Sequence, residues 1–214
     1  MQKKGLLIVL SGFSGVGKGT IVEQLTSRYP DEFVVSVSAT SRKIRENETE
    51  GKSYFFVTRE EFERKIAAGE LLEYAQYNGN YYGTPKDFVL QEVESGRNVI
   101  LEIEVQGGLQ IREAFPDAFL VYVVPPSAEE LYSRLIGRGT ETKEEILRRM
   151  RRAVDEADYV PQYDYLCVND DLETCIQEIL KLIRSKKEEA AERDAMLSRL
   201  KQELLEITKE DEVE

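Results

Sequence analysis

Apolar residues along this chain fall into two patterns: short unbroken runs, and longer stretches in which apolar side chains return every three or four positions. Unbroken or nearly unbroken runs occur at residues 6–10, 33–37, 98–105, 119–124 and 165–168, the second interrupted by Ser36 and the third beginning at Asn98 and carrying Glu102 and Glu104. A strand covered on both faces has no solvent side with which to alternate, so such runs predict buried strands of a parallel sheet. Helical periodicity fills the intervals. Residues 20–28 place Ile21, Val22 and Leu25 on one face, residues 106–115 form a short helix, Ser127 and Thr142 cap two more, and a last amphipathic stretch runs to Ile183. Strands alternating with helices predict an α/β fold, a five-stranded parallel sheet with helices on both faces making three layers.

The alternation fails between residues 38 and 96. Residues 38–53 are polar, and their basic residues read either as a solvated loop or as two arginines, Arg42 and Arg45, that fork onto a phosphate just past a strand's C-terminal end. Tyr54-Phe55-Phe56-Val57 restores a strand. Thr58 and Glu61 have capping-box spacing ahead of a helix with Phe62, Ile66 and Ala67 inward, and Gly69 ends it. Apolar stretches flanking Asn78-Gly79 predict a hairpin, and Thr84-Pro85 caps a helix that runs to Gly96. These short strands predict a small antiparallel insert on the α/β core, with Ser38 and Gly96 near its hinges. Its tyrosines suit core packing and ligand contact equally. Past Arg184 the composition turns to Lys, Glu and Ala, with Leu197, Leu200, Leu204 and Ile207 at 3,4,3 spacing. That predicts a charged amphipathic helix, packed on its own core or used as a dimer contact.

Chemistry concentrates at the end of the first run. Gly12-Phe13-Ser14-Gly15-Val16-Gly17-Lys18-Gly19-Thr20 sets strand, glycine-rich turn and helix start in the order that a phosphate-binding loop requires. Glycines let successive N–H groups converge on an anion, the helix N-terminus adds partial positive charge, and Lys18 adds a full one. Such loops usually carry Ser or Thr after the lysine as a magnesium ligand; here Gly19 stands there, with Thr20 one place later. The run at 98–105 ends in acids, as in a Walker B strand whose carboxylate holds magnesium directly or through water. Glu102 and Glu104, two residues apart on one face of that strand, are both candidates. Arg134, Arg138 and Arg149 flank a glycine-bounded turn and read as a mobile lid that brings cations over a transferred phosphate. Arg151 and Arg152 read as a solvated face with i,i+4 ion pairs.

Composition narrows the function class. A net charge of -12 excludes non-specific grip on nucleic-acid backbones, so any basic site is local. With no histidine, catalysis must work without imidazole, as phosphoryl transfer by charge stabilisation does. The first apolar run is too short for a signal peptide or a membrane span, which predicts a cytoplasmic protein with no membrane partner. Cys167 and Cys175 have neither metal-ligand spacing nor a secretory context and read as reduced, buried thiols.

These motifs, with Ser36-Val37-Ser38-Ala39-Thr40-Ser41-Arg42, Gly79-Asn80-Tyr81-Tyr82-Gly83-Thr84-Pro85 and Val168-Asn169-Asp170-Asp171-Leu172, resemble guanylate kinase, a nucleoside monophosphate kinase family, over residues 5–183. The resemblance implies a P-loop three-layer fold: a kinase domain at 1–184 (core at 1–37, 97–132 and 158–184, a GMP-binding insert at 38–96, a helical lid at 133–157), then a charged helical extension at 185–214. It implies transfer of the γ-phosphoryl group of ATP to GMP, and to deoxy-GMP, with magnesium, by a monomer or homodimer. Gly12, Ser14, Gly15, Val16, Gly17, Lys18, Gly19 and Thr20 would hold ATP phosphates, with Asn169 near the ATP base. Arg42, Arg45, Tyr54 and Tyr82 would bind the GMP phosphate, Ser38, Glu73 and Thr84 would read guanine beside Gly83, and Glu104 would help on the nucleoside. Glu102 would serve magnesium through water, with Thr20 a weaker candidate, and Lys18, Arg42, Arg134, Arg138 and Arg149 would be the catalytic cations. Chemistry supports the guanine assignment separately, because a carboxylate at Glu73 can accept from N1–H and N2–H₂ together and adenine offers no such donor pair. The chain departs from the family in carrying Ile44 and Asn47 where proline and glycine are usual in the arginine loop.

Two rival readings stand beside this one. A catalytically dead kinase-like module would bind phosphopeptides, against which the intact Lys18 and glycine loop weigh. A sibling kinase would act on another phosphorylated small molecule, for which the base-reading residues discriminate.

Overall fold

The computed structural model describes residues 4–77, 79–137, 139 and 141–210, without the side chains of 194 and 205–210. In chain order its elements begin with β1 (Leu7–Gly12), α1 (Lys18–Arg28), β2 (Phe33–Val35), β3 (Ala39–Thr40) and β4 (Phe55–Phe56). Next come α2 (Arg59–Ala67), β5 (Leu71–Tyr77), β6 (Asn80–Pro85), α3 (Lys86–Ser95), β7 (Asn98–Glu102) and α4 (Val105–Ala114). The chain continues with β8 (Phe119–Val124), α5 (Ala128–Gly137), α6 (Lys143–Ala157), a 3₁₀ turn at Val160–Gln162, β9 (Tyr165–Val168) and α7 (Leu172–Glu210).

The five apolar runs form one sheet in the order β2-β7-β1-β8-β9, every neighbouring pair parallel. Alternation along β1 feeds two cores. Ile8 and Leu10 pack with Ile21 and Leu25 of α1 and Ile176 and Ile179 of α7, while Leu7 and Val9 pack with Val89 of α3 and Val105 and Ile111 of α4. Burial on both faces is why the run reads as unbroken. The three-layer α/β expectation therefore holds.

Two predicted strands end early. The run at 33–37 is strand only to Val35, and the run at 98–105 only to Glu102. Glu104 instead takes extended geometry as the N-cap of α4, its carbonyl accepting from Gly108 N–H at 3.0 Å. Glu102 and Glu104 thus do not share one face of a strand, because a helix start intervenes.

The insert forms a second sheet, ordered β4-β3-β6-β5. It is mixed rather than antiparallel, since β3 pairs β4 in parallel. β3, hidden in the polar stretch, has no apolar period to announce it; it is strand because it pairs with β4 and β6 on its two edges, and both its side chains are buried. The hairpin predicted at Asn78-Gly79 joins β5 to β6, although Asn78 itself lies outside the described residues. Within that pair the register shifts so that Leu72 and Glu73 together oppose Thr84. Such a bulge breaks strict alternation and turns two consecutive side chains inward, and both Leu72 and Glu73 are buried. Thr84 is strand, not cap: Pro85 occupies the N-cap of α3 and Thr84 is fully buried.

The amphipathic stretch to Ile183 and the charged tail are one continuous 39-residue helix. Met196, Leu197, Leu200 and Leu204 are exposed, so these positions of the predicted stripe do not pack on the chain's own core; the side chain of Ile207 lies outside the described residues. Removing residues 192–214 should therefore shift the melting temperature by less than ~2 °C, checked by differential scanning calorimetry.

Candidate active site

The chain leaves β1 at the C-terminal edge of the sheet and turns through the glycine loop into α1. Gly15 and Gly17 adopt left-handed φ of 95° and 98°. A Cβ on Gly17 would stand 2.8 Å from Asn169 Nδ2, so both conformation and space require glycine there. Lys18 Nζ donates back to the carbonyls of Gly12 at 2.6 Å and Phe13 at 3.3 Å. From the end of β9, Asn169 Nδ2 donates to the Val16 carbonyl at 2.8 Å and ties the loop to that strand. Gly15, Gly17, Thr20, Arg134 and Asn169 line a cavity of about 210 Å³ over the loop. Its rim carries N–H groups, a helix N-terminus and a guanidinium, a set suited to a polyanion.

Glu102, the last residue of β7, faces the start of α1; a Cβ on Gly19 would lie 3.7 Å from its Oε1. The carboxylate meets solvent in the cleft while protein surrounds its other sides, and that burial raises its pKa against the pull of Lys18. Gly19 leaves the space before this carboxylate clear of any side chain.

Glu73 is 5% exposed, and its Oε1 accepts from Thr84 Oγ1 at 2.7 Å. Burial raises its pKa to about 7, only partly offset by the hydrogen bonds from Thr84. A Cβ on Gly107 of α4 would stand 2.5 Å from Glu73 Oε2, so the glycine creates the room that the carboxylate occupies. Gly83 and Thr84 lie buried beside it, and Ser38, half-buried at the entry to β3, accepts from Phe55 N–H through its carbonyl at 2.9 Å.

Past β3, Arg42 donates through Nη1 and Nη2 to the two carboxylate oxygens of Glu48, both at 2.7 Å. Its guanidinium lies 5.1 Å from the centre of the Tyr54 ring and 5.6 Å from that of Phe56, and Tyr54 meets Tyr82 edge to face at 5.9 Å. Glu48 also accepts from Arg45 N–H at 2.9 Å, while Glu48 N–H donates to the Arg45 carbonyl at 3.0 Å. These two bonds close the arginine loop despite Ile44 and Asn47. The Arg42 guanidinium, helped by Arg45 N–H, holds the Glu48 carboxyl down to about 2. Arg45 itself extends into solvent.

On the opposite side, Arg134 of α5 pairs with Glu130 at 2.7 Å. Arg149 of α6 donates to Ser14 Oγ of the glycine loop at 2.5 Å and pairs with Glu141 at 2.7 Å. Arg138 lies outside the described residues. Arg151 is exposed, as the solvated-face reading expects, and Arg152 makes the expected i,i+4 pair with Glu156, but Arg152 is half-buried and reaches beyond its own helix. Arg152 pairs with Glu156 on its own helix at 2.7 Å, reaches Glu104 at 2.9 Å, and stands 4.7 Å from the centre of the Tyr77 ring in the insert.

Glu48, Gly107 and Arg152 are therefore site residues that the sequence pattern did not single out. Gly107-Gly108 carried a usable signal, since paired glycines inside a helix weaken it unless something approaches closely. Glu48 and Arg152 lay among many charges with nothing local to distinguish them.

The family model described as guanylate kinase matches residues 4–186. The guanylate kinase of Clostridium acetobutylicum is 48% identical over 187 residues, covering 87% of this chain and 88% of its own length. That of Bacillus subtilis is 49% identical over 183 residues, covering 86% and 90%. Among solved structures, the guanylate kinase from Anaplasma phagocytophilum superposes with a TM-score of 0.71 at 33% identity, covering 87% of this chain and 88% of its own.

The buried Glu73 carboxyl makes a testable mark on stability. Its folded pKa stands above the unfolded 4.5, so its contribution is fully present below about 4.5 and is lost as pH rises through about 7. Glu73→Gln should melt above the unsubstituted protein at pH 8, by up to ~3 kcal/mol at about 1.4 kcal/mol per pKa unit, with the gap closing toward pH 5 in denaturant titrations.

Proposed function

The chain belongs to the guanylate kinase family and transfers the γ-phosphoryl group of ATP to GMP, and we propose that Glu73 and Thr84 read the guanine. The observation that carries this reading is a buried carboxylate held beside one hydroxyl in room that Gly107 leaves for it. Ionised, Glu73 accepts from guanine N1–H and N2–H₂ together, and the Thr84 hydroxyl is released to donate to O6. Adenine leaves that carboxylate buried and unpaired, a loss of about 1–3 kcal/mol for each unmet group. Ser38 adds to base recognition and Glu104, steadied by Arg152, to the nucleoside.

Arg42, Arg45, Tyr54 and Tyr82 take the acceptor phosphate. Glu48 occupies the Nη1/Nη2 edge of Arg42 and so fixes its ring-stacked orientation. Loop N–H groups and Lys18 take the ATP phosphates, with Lys18 moving off the Gly12 and Phe13 carbonyls to do so. Arg134, Arg138 and Arg149 bring charge over the transferred group, and Asn169 borders the ATP base. The insert (38–96) and the lid (133–157) close on the core (1–37, 97–132, 158–184) to exclude water.

The acceptor phosphate is already an anion, so no side chain need remove a proton, and positioning with charge neutralisation does the work. The donors beside the loop fit magnesium held largely by phosphate oxygens and water: Glu102 offers a single carboxylate, Gly19 supplies no hydroxyl, and Thr20 lies in the cavity wall. Bound there, magnesium would neutralise charge on the β- and γ-phosphates. Deoxy-GMP is a further substrate, since base and phosphate carry the recognition. The reaction belongs in the cytoplasm, where both nucleotides are at hand; no helix among the described residues is long and apolar enough to cross a membrane.

A coupled ADP-release assay with GMP, AMP, CMP and UMP tests the base reading. GMP should be turned over at least ~100-fold more efficiently than AMP, and Glu73→Gln should raise the KM for GMP ~10–100-fold with little change in that for ATP. AMP turnover equal to that of GMP would sink the assignment. Glu73 must also ionise on binding, so GMP should expel a proton near pH 6.5. Calorimetry in buffers of differing ionisation heat should detect this release, and Glu73→Gln should abolish the part that does not come from the GMP phosphate.

A further inference from the structure

The chain's two cysteines are far from the GMP pocket in function yet adjacent to one another in space. Cys167 on β9 and Cys175 in the first turns of α7 are free thiols, both fully buried, with their sulfurs 2.9 Å apart. A disulfide needs sulfurs at about 2.05 Å, so closing the pair takes a contraction of under ~1 Å. β9 is the edge strand of the main sheet, and the pair lies just beneath that edge. Glu178, half-buried, sets Oε2 3.6 Å from Cys167 Sγ and accepts from the Tyr165 hydroxyl through Oε1. Between the cysteines runs the segment that carries Asn169, whose amide holds the glycine loop, and Asp170 and Leu172, which border the ATP cavity.

We infer that Cys167 and Cys175 are a redox modification site, oxidised by a small peroxide to an intramolecular disulfide that alters the ATP site. The Cys175 sulfur attacks one peroxide oxygen, the O–O bond breaks, and the departing oxygen leaves as water, giving a sulfenic acid. The Cys167 sulfur then attacks the Cys175 sulfur and displaces its hydroxyl, which takes up the Cys167 thiol proton, relayed by Glu178, and leaves as a second water. Two thiols and one hydrogen peroxide give one disulfide and two waters; each sulfur loses one electron and the O–O bond takes up both. The two sulfurs share a hydrogen bond in which either can be the donor; with Cys167 donating, the thiolate at Cys175 is favoured, which supports Cys175 as the first nucleophile. The new bond draws β9 and α7 together across the Asn169 segment and disturbs the Asn169–Val16 bond.

The test uses the full chain treated with hydrogen peroxide. The expected result is loss of both free thiols together in thiol titration of the denatured protein and an intact-mass decrease of two hydrogens. Digestion at Asp or Glu between the cysteines should give a linked pair of peptides, and a dithiol reductant should reverse everything. In the oxidised protein the KM for ATP should rise about fivefold, as for the loss of one buried hydrogen bond, while the KM for GMP stays within twofold. Cys175→Ala should take up one oxygen or none at Cys167 and keep its KM for ATP under peroxide. Stepwise oxygen addition at one cysteine of the unsubstituted protein, cross-linking between chains, thiols that persist in excess peroxide, or a disulfide with unchanged KM for ATP would each overturn the proposal.

Discussion

Keeping a carboxylate in a pocket stripped of most of its water is the demand around which the insert is built. An isolated ionised carboxyl pays heavily for burial unless partners replace the lost water, and Glu73 has one side-chain hydroxyl hydrogen-bonded to it. The bulge in β5 aims it inward, the fully buried Thr84 meets it, and two small residues leave room: Gly107 of α4 against its carboxylate and Gly83 against the backbone of β5. α4 in turn is bound to β5 by Gln110, which bonds both the N–H and the carbonyl of Tyr74. The pocket is thus held by core and insert together, in a state that is less stable than it could be and ready for a base with two adjacent donors.

The cations follow a complementary rule. Arg42 rests on Glu48, Arg134 on Glu130, Arg149 on Glu141, and Arg152 on Glu104 and Glu156, while Lys18 rests on carbonyls of its own loop. In a chain of net charge -12, acids are close to every such position. A phosphate arriving at these side chains either joins a guanidinium at a second edge or exchanges with a carboxylate. Both routes avoid desolvating a bare cation, because the exchange conserves charge-assisted hydrogen bonds.

The main sheet and the glycine loop were readable from sequence because each is specified locally. A buried parallel strand leaves an unbroken apolar run, and a phosphate loop needs glycine at fixed spacing just before a helix. The insert was less readable. β3 is two residues long and is a strand only because β4 and β6 lie beside it, and the parallel β3–β4 pairing leaves no hairpin signature. Glu104 looked like strand because the apolar run continues through Val105, and only the helix that starts there shows otherwise. Arg152 was indistinguishable from its neighbour Arg151 until Tyr77 and Glu104 came within reach from 75 and 48 positions away in sequence. Glu73 and Thr84 were assigned through family resemblance, but the bulge that makes their meeting possible is invisible in any pattern of period two.

The long last helix has a consequence for how the molecule moves in water. At 1.5 Å per residue its 39 residues span about 58 Å, and the part past Ile183, the helix's last fully buried side chain among the described residues, accounts for about 40 Å. A compact domain with such a spar tumbles unequally about its axes. Amide vectors in this helix lie nearly parallel to the spar, so their nuclear relaxation senses the slow end-over-end rotation, while amides elsewhere in the sheet also sample the faster spin about the long axis. Rotational anisotropy, read from the spread of relaxation rates, therefore becomes a direct gauge of whether the spar stays straight.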